Sequence, residues 1–294
     1  NHLNPDPIFY MNSPIKVKLP YFDHLLAALQ EDNDALEKSF GRHVHWGYWQ
    51  QPKLATLSVD DFAEAAENLS IQVCDAAKIS SHKTILDVGC GFGGTIAHLN
   101  ENYDNLELLG LNLDDRQLQR AQQKVKPLAN NSIQFQQGNA CSLPFPDNSF
   151  DVVLAVECIF HFPDRQTFFA EAFRVLKPGG YLALSDFVPT TALLPLVKIK
   201  LPKPLGQGFY GNCNVECSSA GYRQLAAETG FKLTLEKDIT RNTLPTYRYL
   251  RSMGMKESYK SISAAVETLL VEVLSRTHLL KYLVLSFQKP QSSD

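Results

Sequence analysis

The stretch ILDVGCGFGGTIAHL, residues 85–99, runs from an apolar segment through four glycines in six residues into a helical pattern. TILDV at 84–88 predicts a buried strand and GTIAHL a helix. Each glycine costs stability and packs no side chain, so a turn that binds nothing has little use for four. At Gly89, Gly91 and Gly93 the missing Cβ lets the backbone approach a ligand and take a positive φ. In open α/β sheets ligands sit at the carboxyl ends of the strands, where this turn falls. The G-x-G-x-x-G spacing at Gly89, Gly91 and Gly94 admits a dinucleotide, its pyrophosphate on the helix N-terminus. Asp87 would confront that pyrophosphate; its carboxylate suits a cationic group such as an amine. A methyl donor is therefore expected ahead of a dinucleotide, and Gly94 is read as incidental.

Outward from the turn, strand and helix patterns alternate. LELLGLN (106–112), SIQFQQG (132–138), FDVVLAVEC (150–158) and YLALSDF (181–187) predict strands, with DDRQLQRAQQKV and RQTFFAEAFRVL as helices between them. Helices of this length between strands imply right-handed crossovers and a parallel sheet. FKLTLEKDI (231–239) and KYLVLSFQK (281–289) read as an antiparallel pair at the sheet edge, separated by a helical stretch at 243–277. One face of that stretch carries Ile262, Val266, Leu269, Leu270, Val273 and Leu274. The expected fold is α/β: a Rossmann-like, seven-stranded, mostly parallel sheet with helices on both faces, an antiparallel last strand, and a helical cap over the active site. The expected segments are an N-terminal arm and lid (1–57), a core (58–187), a cap segment and helix (188–230), and final strands (231–294) with the helical insertion at 243–277. Ser58 and Asp61 form a capping box opening a helix toward Ala77.

The chain has 294 residues, 44% of them hydrophobic, and a net charge of −3, which gives no sign of a nucleic-acid partner. Basic runs at 16–18 and 198–204 are broken by prolines and read as solvated loop charge. No run approaches the roughly 18 apolar residues of a membrane span, and no leader is visible, so a cytoplasmic monomer or homodimer without stable membrane insertion is expected. The chain opens on Asn1, and Met11 is a candidate start. The six cysteines do not form a small secreted framework, and Cys213 with Cys217 is a lone C-x-x-x-C, so no zinc site is expected.

LDVGCGFGG (86–94), GLNLDDRQLQRA (110–121), GNACSLPFPDNSFDVV (138–153) and RVLKPGGYLALSDF (174–187) occur in the order of a known set. They resemble class I S-adenosylmethionine-dependent methyltransferases, within them the small-molecule natural-product group that includes the rebeccamycin sugar O-methyltransferase and tocopherol C-methyltransferases. The likeness spans about residues 43–290. It implies S-adenosylmethionine as cofactor, with S-adenosylhomocysteine as product, and a small-molecule acceptor. It places Asp87 and the turn at Gly89, Gly91 and Gly93 on the methionine part of the donor. Asn112, with Leu113, stands where many relatives carry an acid for the ribose, assisted by Gln117. Asn139 stands where Asp is common beside adenine, with Ala140 offering its N–H; a plain turn residue is the other reading of Asn139.

Methyl transfer needs donor and acceptor aligned, water excluded and, for a hydroxyl acceptor, a proton removed. Glu157 in VECIFHFPD follows the fourth strand toward the methionine end of the donor. His161 lies four residues on, in the loop facing the acceptor; imidazole, with an ordinary pKa near 6.5, suits proton removal, while packing beside Phe160 and Phe162 is its structural alternative. The resemblance implies that His161 acts with Asp186, which ends the fifth strand, although Phe160 replaces a second histidine found in the relative. Trp46, Tyr48 and Trp49 form either an aromatic lid over the sulfonium or a staple tying the arm to the core. His43 and His45 are candidates for acceptor contact. The expected reaction is O-methylation of a largely apolar natural product. N- or C-methylation, a dinucleotide-dependent oxidoreductase and a non-catalytic donor-binding protein are the alternatives.

Overall fold

A computed structural model describes residues 19–31, 33–197, 213–256 and 262–291. Met11, the basic runs at 16–18 and 198–204, most of the 188–212 stretch and the side chain of Ile262 lie outside them. The elements in chain order are α1 (Pro20–Ala28), α2 (Asp34–Phe40), α3 (Val59–Ala76), β1 (Thr84–Val88), α4 (Gly94–Asn102), β2 (Glu107–Asn112), α5 (Asp115–Lys124), β3 (Ser132–Gln137), β4 (Phe150–Val156), α6 (Arg165–Val175) and β5 (Leu176–Pro189). There follow α7 (Leu194–Val197), α8 (Ser219–Thr229), β6 (Lys232–Asp238), α9 (Thr240–Thr243), α10 (Pro245–Lys256), α11 (Ile262–Arg276) and β7 (Leu280–Gln288).

Seven strands form one sheet in the order β3-β2-β1-β4-β5-β7-β6. β1 to β5 pair in parallel, and β7 inserts antiparallel between β5 and β6. The strand order reverses at β1 and β4, so their carboxyl ends border the crevice where such sheets bind ligands. Both faces are covered. Leu86 and Val88 turn to the layer of α6 and α8 with Phe168, Phe169 and Tyr222, while Ile85 turns to the opposite layer with Leu69, Val73 and Ile96. This explains the unbroken apolar runs of the central strands.

The fifth strand is longer than its apolar run suggests. It begins at Leu176, paired with Phe150, absorbs the KPGG turn in a register shift, and ends at Pro189 opposite Leu280. The helix at 219–229, expected in a cap, is a layer of the core: Tyr222 and Ala226 are buried against α6 and the sheet. The helical stretch at 243–277 divides into α10 and α11. Tyr249 of α10 stacks on Phe62 of α3 with ring centroids 4.2 Å apart. The apolar face of α11 is solvent-facing: Val266, Leu269, Leu270 and Val273 are 48–59% exposed. Ser58 caps α3 by accepting from Asp61 N, but the Asp61 carboxylate turns away to Leu57 N and the Trp49 indole.

Candidate active site

A cavity of about 370 Å³ opens at the carboxyl ends of β1, β2 and β4. Its lining contains Asp87, Gly89, Gly91, Asn112, Leu113, Gln117, Asn139, Ala140, Glu157 and His161. Gly93, Asp186, Trp46 and Tyr48 do not line it. Gly91 takes φ 53°, and the nearest atom to a Cβ there would be 3.8 Å away, so the ligand space itself is what the missing side chain keeps open. Gly94 is not incidental. A Cβ at Gly94 would stand 2.4 Å from His43 Nδ1 and 2.5 Å from the Arg42 carbonyl, so it is the close approach of the arm to α4 that requires glycine there. Gly93 adopts φ 80° at the N-cap of α4, one step behind the wall.

Asp87 is 1% exposed, and its Oδ2 has no hydrogen-bond partner in the protein. Burial pushes its carboxyl up to about 8. Glu157 lies beyond β4 with φ 48° and accepts from Trp46 N at 3.0 and 3.2 Å and from the Tyr282 hydroxyl. Burial raises it to about 8 as well, against those hydrogen bonds. Two acids are thus held neutral until a cation enters. Both have folded-state values above their ordinary ones, so their stabilisation of the fold is complete below about pH 4 and is lost as pH rises through about 8. A cationic ligand lowers both values and drives protons off. At pH 6.5, where an α-amino group is still protonated (pKa about 7.7–8.0), donor binding is expected to release protons. Calorimetry in two buffers of different ionisation enthalpy reads the release, which vanishes above about pH 9; a heat independent of buffer at pH 6.5 contradicts it.

At the other end of the cavity Asn112 Nδ2 donates to Gln117 Oε1 at 2.9 Å, while Asn112 Oδ1 accepts from Leu113 N at 2.8 Å. The amide keeps one N–H and a lone pair, enough for a diol. Asn139 is a turn residue that also lines the cavity. Its Oδ1 accepts from Cys141 N at 2.9 Å in an Asx turn, and the residue lines the cavity beside Ala140. Asp114 caps α5 through Arg116 N.

The roof comes from α1, within the segment expected as arm and lid (1–57), although none of its residues was singled out for the site. Leu19, Tyr21 and Phe22 line the cavity. Phe22 meets Phe92 edge-on at 5.9 Å, and Asp23 pairs with Arg116 of α5 at 2.8 Å. None of the lining side chains among the described residues comes from 188–291. Trp46 instead packs edge-on against Phe187 (5.5 Å) and Tyr247 (5.9 Å), and Trp49 is buried beside Phe62. These contacts staple the arm to the core. His43 and His45 line the cavity but are committed elsewhere. His43 donates from Nε2 to Glu67 at 2.6 Å, and His45 bonds Ser70 at 3.1 Å and the Trp46 carbonyl at 2.9 Å. Burial lowers both imidazoles, His45 to about 3, so they are neutral scaffolding. Glu67 also takes Arg42 and His98, tying the arm to α3 and α4.

His161 is half-buried in the wall, with Nε2 3.3 Å from the Tyr21 hydroxyl and Nδ1 3.9 Å from the Cys213 sulfur. Asp186 does not converge on it. That carboxylate is fully buried, accepting from Arg165 Nη2 at 2.9 Å and the Tyr222 hydroxyl at 2.5 Å. It shares the parity of Leu182, Leu184 and Val188, which face α6 and α8. Burial raises its carboxyl despite Arg165. Its reach toward the site is indirect: Arg165 also donates to the Asn214 carbonyl at 2.6 Å, and Asn214 N donates to the Phe160 carbonyl at 2.7 Å, one residue before His161. Among the described residues no cluster of three His, Cys, Asp or Glu side chains has metal-holding geometry, and no helix is long and apolar enough to cross a membrane.

An unpartnered buried acid, an open glycine turn and paired amides fit a ligand with a cation at one end and a nucleoside at the other. That arrangement on this sheet defines a class I methyltransferase. Residues 86–184 match the methyltransferase domain family. The chain is 30% identical to 27-O-demethylrifamycin SV methyltransferase of Amycolatopsis mediterranei over 87% of its own length and 93% of the relative's. It is 27% identical to norajmaline N-methyltransferase of Rauvolfia serpentina over 87% and 93%. Geranyl diphosphate C-methyltransferase from Streptomyces coelicolor, solved with S-adenosylhomocysteine, shares the fold with a TM-score of 0.70 at 16% identity, covering 94% of this chain and 99% of that one. The chain belongs to the S-adenosylmethionine-dependent methyltransferases, in their natural-product group, and S-adenosylmethionine is its cofactor.

Proposed function

We propose that the protein methylates a hydroxyl of a small, largely apolar natural product, with His161 as the base. The observation that carries this reading is the Tyr21 hydroxyl 3.3 Å from His161 Nε2 inside the cavity. A hydroxyl already sits in hydrogen-bond reach of the imidazole, as a base requires of its acceptor. When bound, the donor would supply a methyl group activated by its sulfonium sulfur, which leaves as the neutral thioether of S-adenosylhomocysteine. Asp87 and Glu157 hold its cationic end, the Asn112–Gln117 pair the ribose, and Asn139 with Ala140 the adenine. Leu19, Phe22, Phe92 and Phe162 give the cavity the apolar walls that exclude water and hold an apolar acceptor. His161 takes the hydroxyl proton as the oxygen attacks. The similarity to a relative named for an oxygen acceptor, along 93% of that relative, supports oxygen over nitrogen or carbon. Isotope-labelled methyl donor and a hydroxyl-bearing apolar acceptor test the reading: the label is expected in a methoxy group, and a label on nitrogen or carbon overturns it.

A further inference from the structure

The outer face of α11 has no place in the site. Val266, Leu269, Leu270 and Val273, at i, i+3, i+4 and i+7, form one contiguous apolar stripe turned to solvent. Single exposed apolar residues are ordinary, but a contiguous stripe marks an interaction surface.

The charge around it names the partner. Residues 240–281 carry seven Lys and Arg against three Glu, in a chain whose net charge is −3. Arg276 lies one helical turn beyond Val273, and its guanidinium meets the buried Glu272 at 2.7 Å. Arg251 of α10 pairs with the same carboxylate, and Arg248 is exposed beside it. Burial, with Arg276 and Arg248 as neighbours, holds Arg251 below its ordinary value: two guanidiniums share the Glu272 carboxylate and a third lies near them. Glu267, the other carboxylate of α11, is half-buried, and it adds to burial in raising the Cys213 thiol. The stripe is therefore flanked by cations.

We propose that α11, with the arginines of α10 beside it, adsorbs in plane onto an anionic lipid surface. An apolar helix face at the acyl boundary with basic side chains at headgroup level is the arrangement such surfaces bind. The inner side of α11 neighbours Cys213, which is 3.9 Å from His161. Adsorption would set the acceptor side of the cavity next to the phase into which an apolar acceptor partitions; this consequence, unlike the adsorption, rests on the proposed acceptor class.

Co-sedimentation of the full chain with vesicles of phosphatidylcholine, alone or mixed with phosphatidylserine, tests the proposal. Binding to the anionic vesicles is expected to be about tenfold or more above that to the neutral ones and to fall as salt rises. The double variant L269D/L270D and the variant R248E should each weaken it severalfold or more, with S-adenosylhomocysteine binding unchanged as proof of folding. Absence of binding to anionic vesicles overturns the proposal, as does binding that L269D/L270D leaves intact. A dimer in light scattering that L269D/L270D dissociates also overturns it, since a second copy then covers the face.

Discussion

Replacing His161 by alanine is expected to lower the turnover of methyl transfer to a hydroxyl acceptor by about 10²–10⁴-fold, the usual contribution of a positioned base. Its Nε2 stands 3.3 Å from the Tyr21 hydroxyl in the cavity wall, where the proposed base would take the acceptor's proton. Donor affinity should be nearly unchanged, because the residues proposed to hold the donor are Asp87, Glu157, Asn112, Gln117, Asn139 and Ala140, and His161 is not among them. Single-turnover kinetics with labelled donor measures both. A rate within about tenfold of the parent removes His161 from the mechanism.

Replacing Asp87 by asparagine acts on the other half of the reaction. The buried carboxyl has an oxygen that no protein group holds, so a cation entering the cavity gains a partner there. Breaking a buried charge contact of this kind costs about 2–5 kcal/mol, or about 30-fold to a few thousand-fold in affinity. S-adenosylhomocysteine keeps the amino group and lacks the methyl, so titration calorimetry with it isolates binding. The variant should fold well, since an amide resembles the protonated acid that the empty site favours. It should melt higher than the parent above about pH 8, where the parent must bury a charge. Equal affinity in parent and variant contradicts the assignment.

The core of this architecture is legible in the chain. TILDV, the glycine turn and the apolar runs of β2 and β4 locate the central strands within a residue or two, because strands buried on both faces must be apolar throughout. Asp87 stands out as an acid among residues that can only be buried. The roof was legible only as a lid segment at 1–57, not residue by residue. Tyr21 and Phe22 belong to a short helix whose place over the cavity depends on Phe92 and Arg116, contacts about 70–95 residues away in sequence that leave no local pattern. Asp186 is the instructive error. The resemblance, with its expected place at a strand end, put it in the site, whereas the alternation of Leu182, Leu184 and Val188 already pointed it to the far layer, and Arg165 was its partner. The aromatic segment at 46–49 admitted two readings because a lid and a staple share a composition; Glu157 and Phe187, which hold Trp46, decide it.

The most direct test of the account is where the methyl group goes. The protein, methyl-labelled S-adenosylmethionine and an apolar acceptor bearing both a free hydroxyl and a secondary amine are incubated together, and the product is read by NMR. The account predicts the label in a methoxy group, and no product from His161→Ala on the same timescale. A label on the amine or on carbon, or equal transfer by the variant, would contradict it.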